Sequence, residues 1–182
     1  LKTDIHLNEL KISDLEKSSF FQYAVDVFSA LSGQEMHIPN DLNYDLEYNR
    51  LLIQLDDELH FNRYRKITLQ SDFYNEHKGF NVNTSRSHCR IYEKECIKSG
   101  LSKGFWENRE SEKIFGFSEE PGDLSVERNG SSAWKLRAWT DFLQDIAGEI
   151  YGFKVLRISV YDKLMISGRV QTIGQLINSS KR

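Results

Sequence analysis

Proline and glycine are scarce in this sequence, with two prolines and eleven glycines among 182 residues. That composition excludes collagen-like and linker-rich organisation. Long apolar runs are missing as well: unbroken runs such as Leu51–Ile53 are short, whereas a membrane helix needs roughly 20 apolar residues. The opening LKTDIHLNEL has neither a basic-then-apolar signal pattern nor an initial Met. We therefore expect a cytoplasmic protein without a membrane partner, whose native start lies upstream.

Charge of one sign does not dominate the chain. The net charge is −3 and the pI is near 6.0, so the chain as a whole is not attracted to nucleic acid. Two local basic stretches, Asn62–Lys66 and Arg86–Arg90, remain. They are either contacts to nucleic acid or solvated helix faces.

Cysteine is rare too, because Cys89 and Cys96 are the only two. Such a pair is not a disulfide framework. With His88 beside Cys89, a zinc site is one alternative, but structural zinc sites use four ligands at recognisable spacing. Buried free thiols are the state we expect.

Hydrophobic residues make up 39% of the chain and aromatic residues 12%, which is a globular profile. The length suits one compact domain. We expect an α/β fold in which a central mixed sheet is flanked by helices. The single domain of residues 1–182 then divides into an N-terminal helical region, 1–42, a core, 43–160, with an insertion, 71–130, and a C-terminal segment, 161–182.

Two adjacent strands are predicted between Asn43 and Asp56. Tyr44–Tyr48 alternates in polarity, and Leu51–Leu55 is a short, mostly apolar run of the kind found in the centre of a sheet. Asn49 and Arg50 between them suit a tight hairpin turn.

Helices are predicted on both sides of these strands. Ser13 and Glu16 match a capping box before an amphipathic helix that ends at Gly33. Ser131 or Ser132 caps the clearest helix, which runs to Gly152 and is followed by an alternating strand, 153–160. Further expected elements are helices at 61–70, 86–98 and 170–178, a loop at 71–84 and a long excursion at 104–130.

The pattern Asp56-x-Glu58-x-His60 follows the apolar strand directly. Alternate residues of a strand face one side, so an extended continuation of the strand would present all three together. Asp45 precedes Asp56 by eleven positions and, across a hairpin, would approach it. Converging carboxylates favour a bound divalent cation. The alternative is a polar turn after a strand, with Asp45 as a loop-edge carboxylate.

These residues resemble the PD-(D/E)XK nuclease superfamily. The stretch LIQLDDELH at 52–60 is similar to the ELDGxxH strand of very-short-patch-repair-like endonucleases and their uncharacterised bacterial relatives. Lys135, Leu136, Arg137 and Asp141 on the long helix, followed by GFKVLRI at 152–158, resemble the basic helix and the GxxVLRI strand of the same proteins. The resemblance covers roughly residues 43–160, and it implies a restriction-endonuclease-like core.

The resemblance also implies roles. Asp45, Asp56 and Glu58 would hold Mg²⁺ or Mn²⁺. His60 would act as general base or hold water, and Lys135 would stabilise charge on the phosphate. The remaining predicted residues, Arg63, Arg65 and Arg137, would contact the DNA backbone.

Two departures from the family pattern bear on catalysis. Gln54 stands where the family has Glu, and the motif lysine is absent unless Lys135 replaces it. The sequence therefore predicts either a metal-dependent DNA endonuclease of repair, restriction or phage defence, or an inactive nuclease-like module that binds nucleic acid or protein. A third hypothesis is an immunity or helper protein that binds a protein partner.

Overall fold

The centre of the fold is a three-stranded mixed sheet that packs against one long helix. The structure, a computed structural model, describes residue 7 and residues 9–77, 79–126 and 129–180. The strands are β1 (Leu46–Tyr48), β2 (Leu51–Asp56) and β3 (Lys154–Ser159), in the order β1-β2-β3. The predicted α/β class with a central mixed sheet is confirmed.

The first two strands form the predicted hairpin. Leu46 pairs with Ile53 in an antiparallel register, and Asn49 and Arg50 make the turn with φ values of 51° and 66°. Two consecutive positive φ values match the right-handed twist of the strands that such a turn joins. Asn tolerates this conformation, whereas Arg at the second position is strained.

Strand β3 lies parallel to β2, so a crossover must connect them. Gln54 is the register partner of Arg157, and Asp56 is the partner of Ser159. Register partners in a sheet share one face, and here that face is covered by a helix. The central position of β2 explains its apolar composition.

The covering helix is α7 (Ser132–Tyr151), and its predicted ends are confirmed. The Ser131 hydroxyl accepts a hydrogen bond from the Trp134 backbone N–H, and Gly152 ends the helix with φ of 72°. Most of its length is buried, including Trp134 and Trp139. Both tryptophans are core residues.

The N-terminal region contains α1 (Ile12–Lys17) and α2 (Phe21–Ala30). The predicted capping box is wrong. Helix α1 begins one residue before Ser13, and Lys11 stands at its cap without a side-chain hydrogen bond. The predicted amphipathic helix is present as α2, with Ala24, Val27 and Phe28 buried.

Several connecting helices differ from the prediction. The expected helix at 61–70 is α3 (Arg63–Thr68). The single helix expected at 86–98 is two, α4 (Val82–Ile91) and α5 (Glu93–Ser102), because the backbone of Tyr92 leaves helical geometry. The excursion at 104–130 contains α6 (Arg109–Phe115), which begins with a capping box formed by Asn108 and Ser111.

The C-terminal prediction is partly wrong. A hairpin of β4 (Lys163–Ile166) and β5 (Arg169–Thr172) precedes α8 (Ile173–Ser180), so the expected helix at 170–178 starts later. Ser167 and Gly168 make its turn at positive φ. Two short strand-like segments separated by turn residues are the sequence pattern that indicates such a hairpin.

The two cysteines are buried free thiols, as expected. Burial raises the pKa of each to about 12, so they are inert at neutral pH. Within the described part of the chain, no helix combines the length and apolar character needed to cross a membrane.

Candidate functional site

Polar side chains collect where α7 crosses the sheet. Arg157 of β3 shares a face with Gln54 and Asp56 of β2, and α7 supplies Asp141 and Asp145 above them. Each of these two carboxylates lies on the helix face that packs on the sheet, because residues four apart share a face. Charges in such a position must be paired to be tolerated.

Arg157 holds this arrangement together. Its Nη1 donates to Asp56 Oδ1 at 2.7 Å and lies 3.5 Å from Asp141 Oδ1. Its Nε donates to Asp145 Oδ1 at 2.8 Å, and its Nη2 donates to the side chain of Gln144 and to the Asp141 carbonyl. One guanidinium therefore neutralises carboxylates from the strand and from the helix.

Arg65 of α3 completes what we call the buried ion network, which comprises Asp56, Arg65, Asp141, Asp145 and Arg157. Arg65 Nη2 donates to Asp145 Oδ2 at 3.0 Å, and its Nε lies 3.8 Å from Asp141 Oδ2. The Tyr74 hydroxyl donates to the same Asp145 oxygen at 2.6 Å. All five network side chains are almost fully buried.

The charges of the network shift the pKa values of its carboxylates. Burial raises the pKa of Asp141 and Asp145, but the positive charges around them outweigh it and hold both below the ordinary range. For Asp145 those charges are chiefly Arg157 and Arg65, and for Asp141 they are chiefly His60, followed by Arg157 and Arg65. The carboxylates stay ionised at neutral pH.

His60 lies at the outer edge of this network. Its segment is a short 3₁₀ turn, Glu58–His60, begun by Asp57, whose side chain accepts from the Leu59 N–H. The turn brings the His60 Nε2 within 3.6 Å of Asp56 Oδ1 and of Asp141 Oδ1, and its Nδ1 within 2.9 Å of Asp57 Oδ1. The predicted proximity of His60 to Asp56 is present, although through a turn rather than a strand.

Arg137 is the remaining charged group of the site. Its Nη2 is 3.0 Å from His60 Nε2 and 3.5 Å from Asp57 Oδ1, and its guanidinium lies 5.6 Å from the centre of the Phe105 ring. Burial raises the pKa of Asp57, but the hydrogen bond and charge of His60 and the charge of Arg137 lower it to about 2. Arg137 Nε is buried without a hydrogen-bond partner among the described residues.

A cavity of about 290 Å³, which we call the cleft, opens between the first half of α7 and the end of β2. Arg137 and His60 line it together with Phe105 and the side-chain amides of Gln54 and Gln144. The cleft thus offers donors, acceptors, a titratable imidazole and an aromatic face. It lies near the carboxyl end of a parallel strand, where α/β proteins commonly bind ligands.

The predicted metal ligands are not brought together. Asp45 is exposed and its Oδ2 accepts from the Leu55 backbone N–H at 2.7 Å, which caps the edge of the hairpin. Glu58 turns away into a contact with Ser99 and Lys103, both reached by its Oε1. The prediction that Asp56, Glu58 and His60 share a strand face is wrong because β2 ends at Asp56.

The donor set therefore does not fit the predicted magnesium site. Mg²⁺ requires oxygen ligands at about 2.0–2.1 Å in near-octahedral array. The Asp56 carboxylate is instead bonded to Arg157, a fixed cation. Among the described residues, no group of three or more His, Cys, Asp or Glu side chains is placed to hold a metal.

Lys135 also lies elsewhere than predicted. It is 1% exposed, and its Nζ sits 5.7 Å from the centre of the Tyr64 ring without a hydrogen-bond partner among the described residues. Burial lowers its pKa. It does not line the cleft and has no hydrogen bond or ion pair to Asp56 or His60, so its position does not support the predicted contact with a phosphate.

The three predicted backbone-contacting arginines have different positions. Arg63 is exposed but bonded through Nε and Nη2 to the Glu93 carboxylate. The prediction that Arg65 contacts a phosphate is wrong, because Arg65 is buried in the ion network. Arg137 is the one of the three that lines the cleft.

The sequence analysis assigned no role to Asp57, Asp145 or Arg157. A signal for two of them was present. Arg157 is a charge in the middle of an apolar alternating strand, and Asp145 interrupts the apolar stripe of the long helix. Charges at core positions indicate an internal pair.

Residues 26–179 match the model of a family described as a family of unknown function (DUF7255). The chain belongs to this family. The match spans β1 to β3 and so includes the buried ion network and the cleft. No curated protein and no solved structure matches the chain.

Proposed function

We propose that the chain is a nuclease-like nucleic-acid-binding module that holds a single-stranded segment in the cleft without hydrolysing it. We infer the absence of hydrolysis from the guanidinium of Arg157, which lies between the carboxylates of Asp56 and Asp141. In a metal-dependent nuclease, the positive charge between such carboxylates is a cation that also contacts the phosphate. Here that charge is part of the protein and is buried.

The cleft supports binding of a nucleotide. Arg137 lines the cleft and is about one quarter exposed, so the exposed part of its guanidinium suits a phosphate or a base edge. Phe105 provides an aromatic face, and single-stranded bases stack on such faces. Gln54 adds a side-chain amide to the lining, a group that can pair with the donors and acceptors of bases. The cavity of about 290 Å³ suits one base rather than a duplex.

A binding measurement tests this proposal. We expect a labelled DNA or RNA strand of about 20 nucleotides to bind the protein, with anisotropy that falls as salt is added. Arg137→Ala should weaken binding about tenfold, because it removes the cleft cation. Arg63→Ala is the matched control: it removes a partly exposed arginine that is not at the cleft, and it should change affinity less than about twofold. Equal effects of both variants would refute the cleft as the binding site.

Hydrolysis is the second candidate function, and the Asp57–His60 pair favours it. A carboxylate 2.9 Å from Nδ1 orients an imidazole as in general-base catalysis, and Arg137 stands beside it. Incubating the same strands with Mg²⁺ or Mn²⁺ separates the candidates. We expect no cleavage; cleavage that His60→Gln abolishes would establish the enzyme. DNA rather than RNA, a cytoplasmic location, and a role in repair, restriction or phage defence stay predictions.

A further inference from the structure

A second, larger opening lies away from the cleft, at the far end of α7. A cavity of about 550 Å³ is formed by the start of α2, the turn Asp72–Asn75 and the last turn of α7. A neighbouring cavity of about 480 Å³ shares Ser19, Phe20 and Glu149 with it and continues towards Tyr151. Together they form one elongated depression, which we call the acidic groove.

The charge of the groove is almost entirely negative. Asp72, Glu76 and Glu149 line the larger cavity, and Asp14 lines the smaller one. Lys17 is the single Lys or Arg among the described residues that line either cavity. None of the four carboxylates forms an ion pair with a lysine or arginine of the described chain. Within the described part of the chain, their negative potential is therefore not cancelled by an ion pair to lysine or arginine.

The end of helix α7 adds to this potential. The helix is 20 residues long and has no basic residue in its last turn, where Glu149 stands instead. The C-terminus of a helix carries a partial negative charge, so a cation is stabilised there. A carboxylate at this position is unfavourable for the isolated helix and becomes favourable when a cation binds.

His77 forms part of the wall at the same place. Its side chain is 2% exposed, and its Nδ1 lies 3.2 Å from Glu149 Oε1. A proton on Nδ1 donates to that carboxylate and leaves Nε2 as a buried lone pair, which has no partner among the described residues. Because Nε2 faces the backbone of Gly79, the imidazole forms a buried wall of the groove and does not itself reach a ligand.

Aromatic rings complete the wall of the groove. Phe20 and Phe73 meet edge to face with ring centres 5.6 Å apart, and Tyr23 is tilted against Phe73 at 6.5 Å. Aromatic faces attract ammonium and guanidinium groups. Carboxylates together with aromatic rings are the chemistry that recognises lysine and arginine side chains rather than hard metal ions.

From this geometry we propose that the acidic groove docks a basic, extended segment of a partner protein. The charge of the groove and its aromatic wall select Lys- and Arg-rich sequence, and its two joined cavities suit more than one side chain. The site shares no residue with the cleft, so it is independent of nucleic-acid binding. The protein would then bring a basic partner and a nucleic-acid strand together.

A fluorescein-labelled peptide of about ten residues, rich in Arg and Lys, tests the docking site. We expect it to bind the full chain, and an equally long Glu-rich peptide not to bind. Glu76→Gln with Glu149→Gln should weaken binding at least about tenfold. The matched control is Glu95→Gln with Glu107→Gln, which changes the net charge equally at exposed carboxylates outside the groove. That pair should change affinity less than about twofold.

Phe20→Leu is a second test, which separates the contribution of the aromatic ring from that of charge. It keeps apolar volume but removes an aromatic face, and we expect about a threefold loss of peptide affinity. A thermal melt of each variant checks that it is folded. Equal weakening by the two carboxylate pairs would overturn the proposal, as would displacement of the peptide by equimolar spermidine, which would identify a site for small cations.

Discussion

Individual residues of the site show how local geometry decides chemistry. Asp56 and His60 were predicted together from their spacing, and they do meet. Glu58 was predicted with them from the same spacing, and it turns away. The difference comes from Asp57, whose side chain accepts the Leu59 N–H and starts a 3₁₀ turn instead of continuing the strand. An Asp that begins a turn is recognisable in sequence, but so is an Asp that ligates metal, and spacing alone does not separate them.

Lys135 is the residue whose replacement should raise stability. An ammonium buried without a hydrogen-bond partner is costly, and burial lowers its pKa. We expect Lys135→Met to increase the free energy of unfolding at pH 7 by about 1–3 kcal/mol, measured by urea denaturation. An unfolding free energy lower than that of the native chain would mean that the ammonium has a partner.

The pH dependence of the same variant gives an independent check. The unfolded chain binds the Lys135 proton more readily than the folded chain does, because the folded pKa is lowered. The native protein therefore gains stability as pH rises from the folded pKa towards about 10.4, the ordinary lysine value. The advantage of Lys135→Met should shrink between pH 7 and about pH 10.

Elements with strong local signals were predicted well, and those that depend on distant contacts were not. Helix α7 has a cap, a wide apolar stripe and a terminal glycine, and the turn between β1 and β2 has Asn at its first position. The break between α4 and α5 has no comparable signal. At Tyr92 the ring stacks on Tyr161 with centres 3.6 Å apart, a contact made by a residue far along the chain. Local propensity cannot report such a contact.

The start of α7 allows a test of the contact that holds this helix to α3. Gly130 has φ of 56°, and a methyl group there would collide with the Tyr64 hydroxyl and the Ser125 carbonyl. That hydroxyl donates to Ser125 and accepts from the Ser131 N–H, which ties α3 to the start of α7. Gly130→Ala should therefore cost more than about 3 kcal/mol of unfolding free energy.

Gly104→Ala is the control for that change. Gly104 has φ of 66°, and no atom lies within 4 Å of an added methyl group. It has the same backbone strain without the collision, so we expect a loss of about 1 kcal/mol. Similar losses in the two variants, measured by chemical denaturation, would show that the Tyr64 contact does not fasten the helix.

Over the whole molecule, the buried ion network joins parts that are distant in sequence. It connects β2, α3, α7 and β3, and none of these contacts is local. The α/β class was predictable because periodicity records which faces are buried. The pairing of the buried charges was not predictable. Which arginine contacts which carboxylate depends on the parallel register of β2 and β3 and on the rotation of α7 about its axis.

This network should make the protein sensitive to acid. Asp141 and Asp145 have folded pKa values below the ordinary range, so the unfolded chain takes up protons first as pH falls. Their stabilisation is fully present above about pH 4, the unfolded value, and is lost as pH falls through the folded values. Unfolding free energies measured by urea should therefore stay level from pH 7 to about pH 5 and decrease between about pH 4 and about pH 3. Asp145→Asn leaves Arg157 and Arg65 without a full counter-charge and should cost about 3–5 kcal/mol of unfolding free energy at pH 7, with a weaker pH dependence.

If Asp145→Asn does not fold, Tyr74→Phe removes only the 2.6 Å hydrogen bond to Asp145 and should cost about 1–3 kcal/mol of unfolding free energy. Glu95→Gln, an exposed carboxylate outside the network, should match the native chain at every pH. A native chain whose stability stayed constant down to about pH 3 would show that the carboxylates do not contribute through their charge.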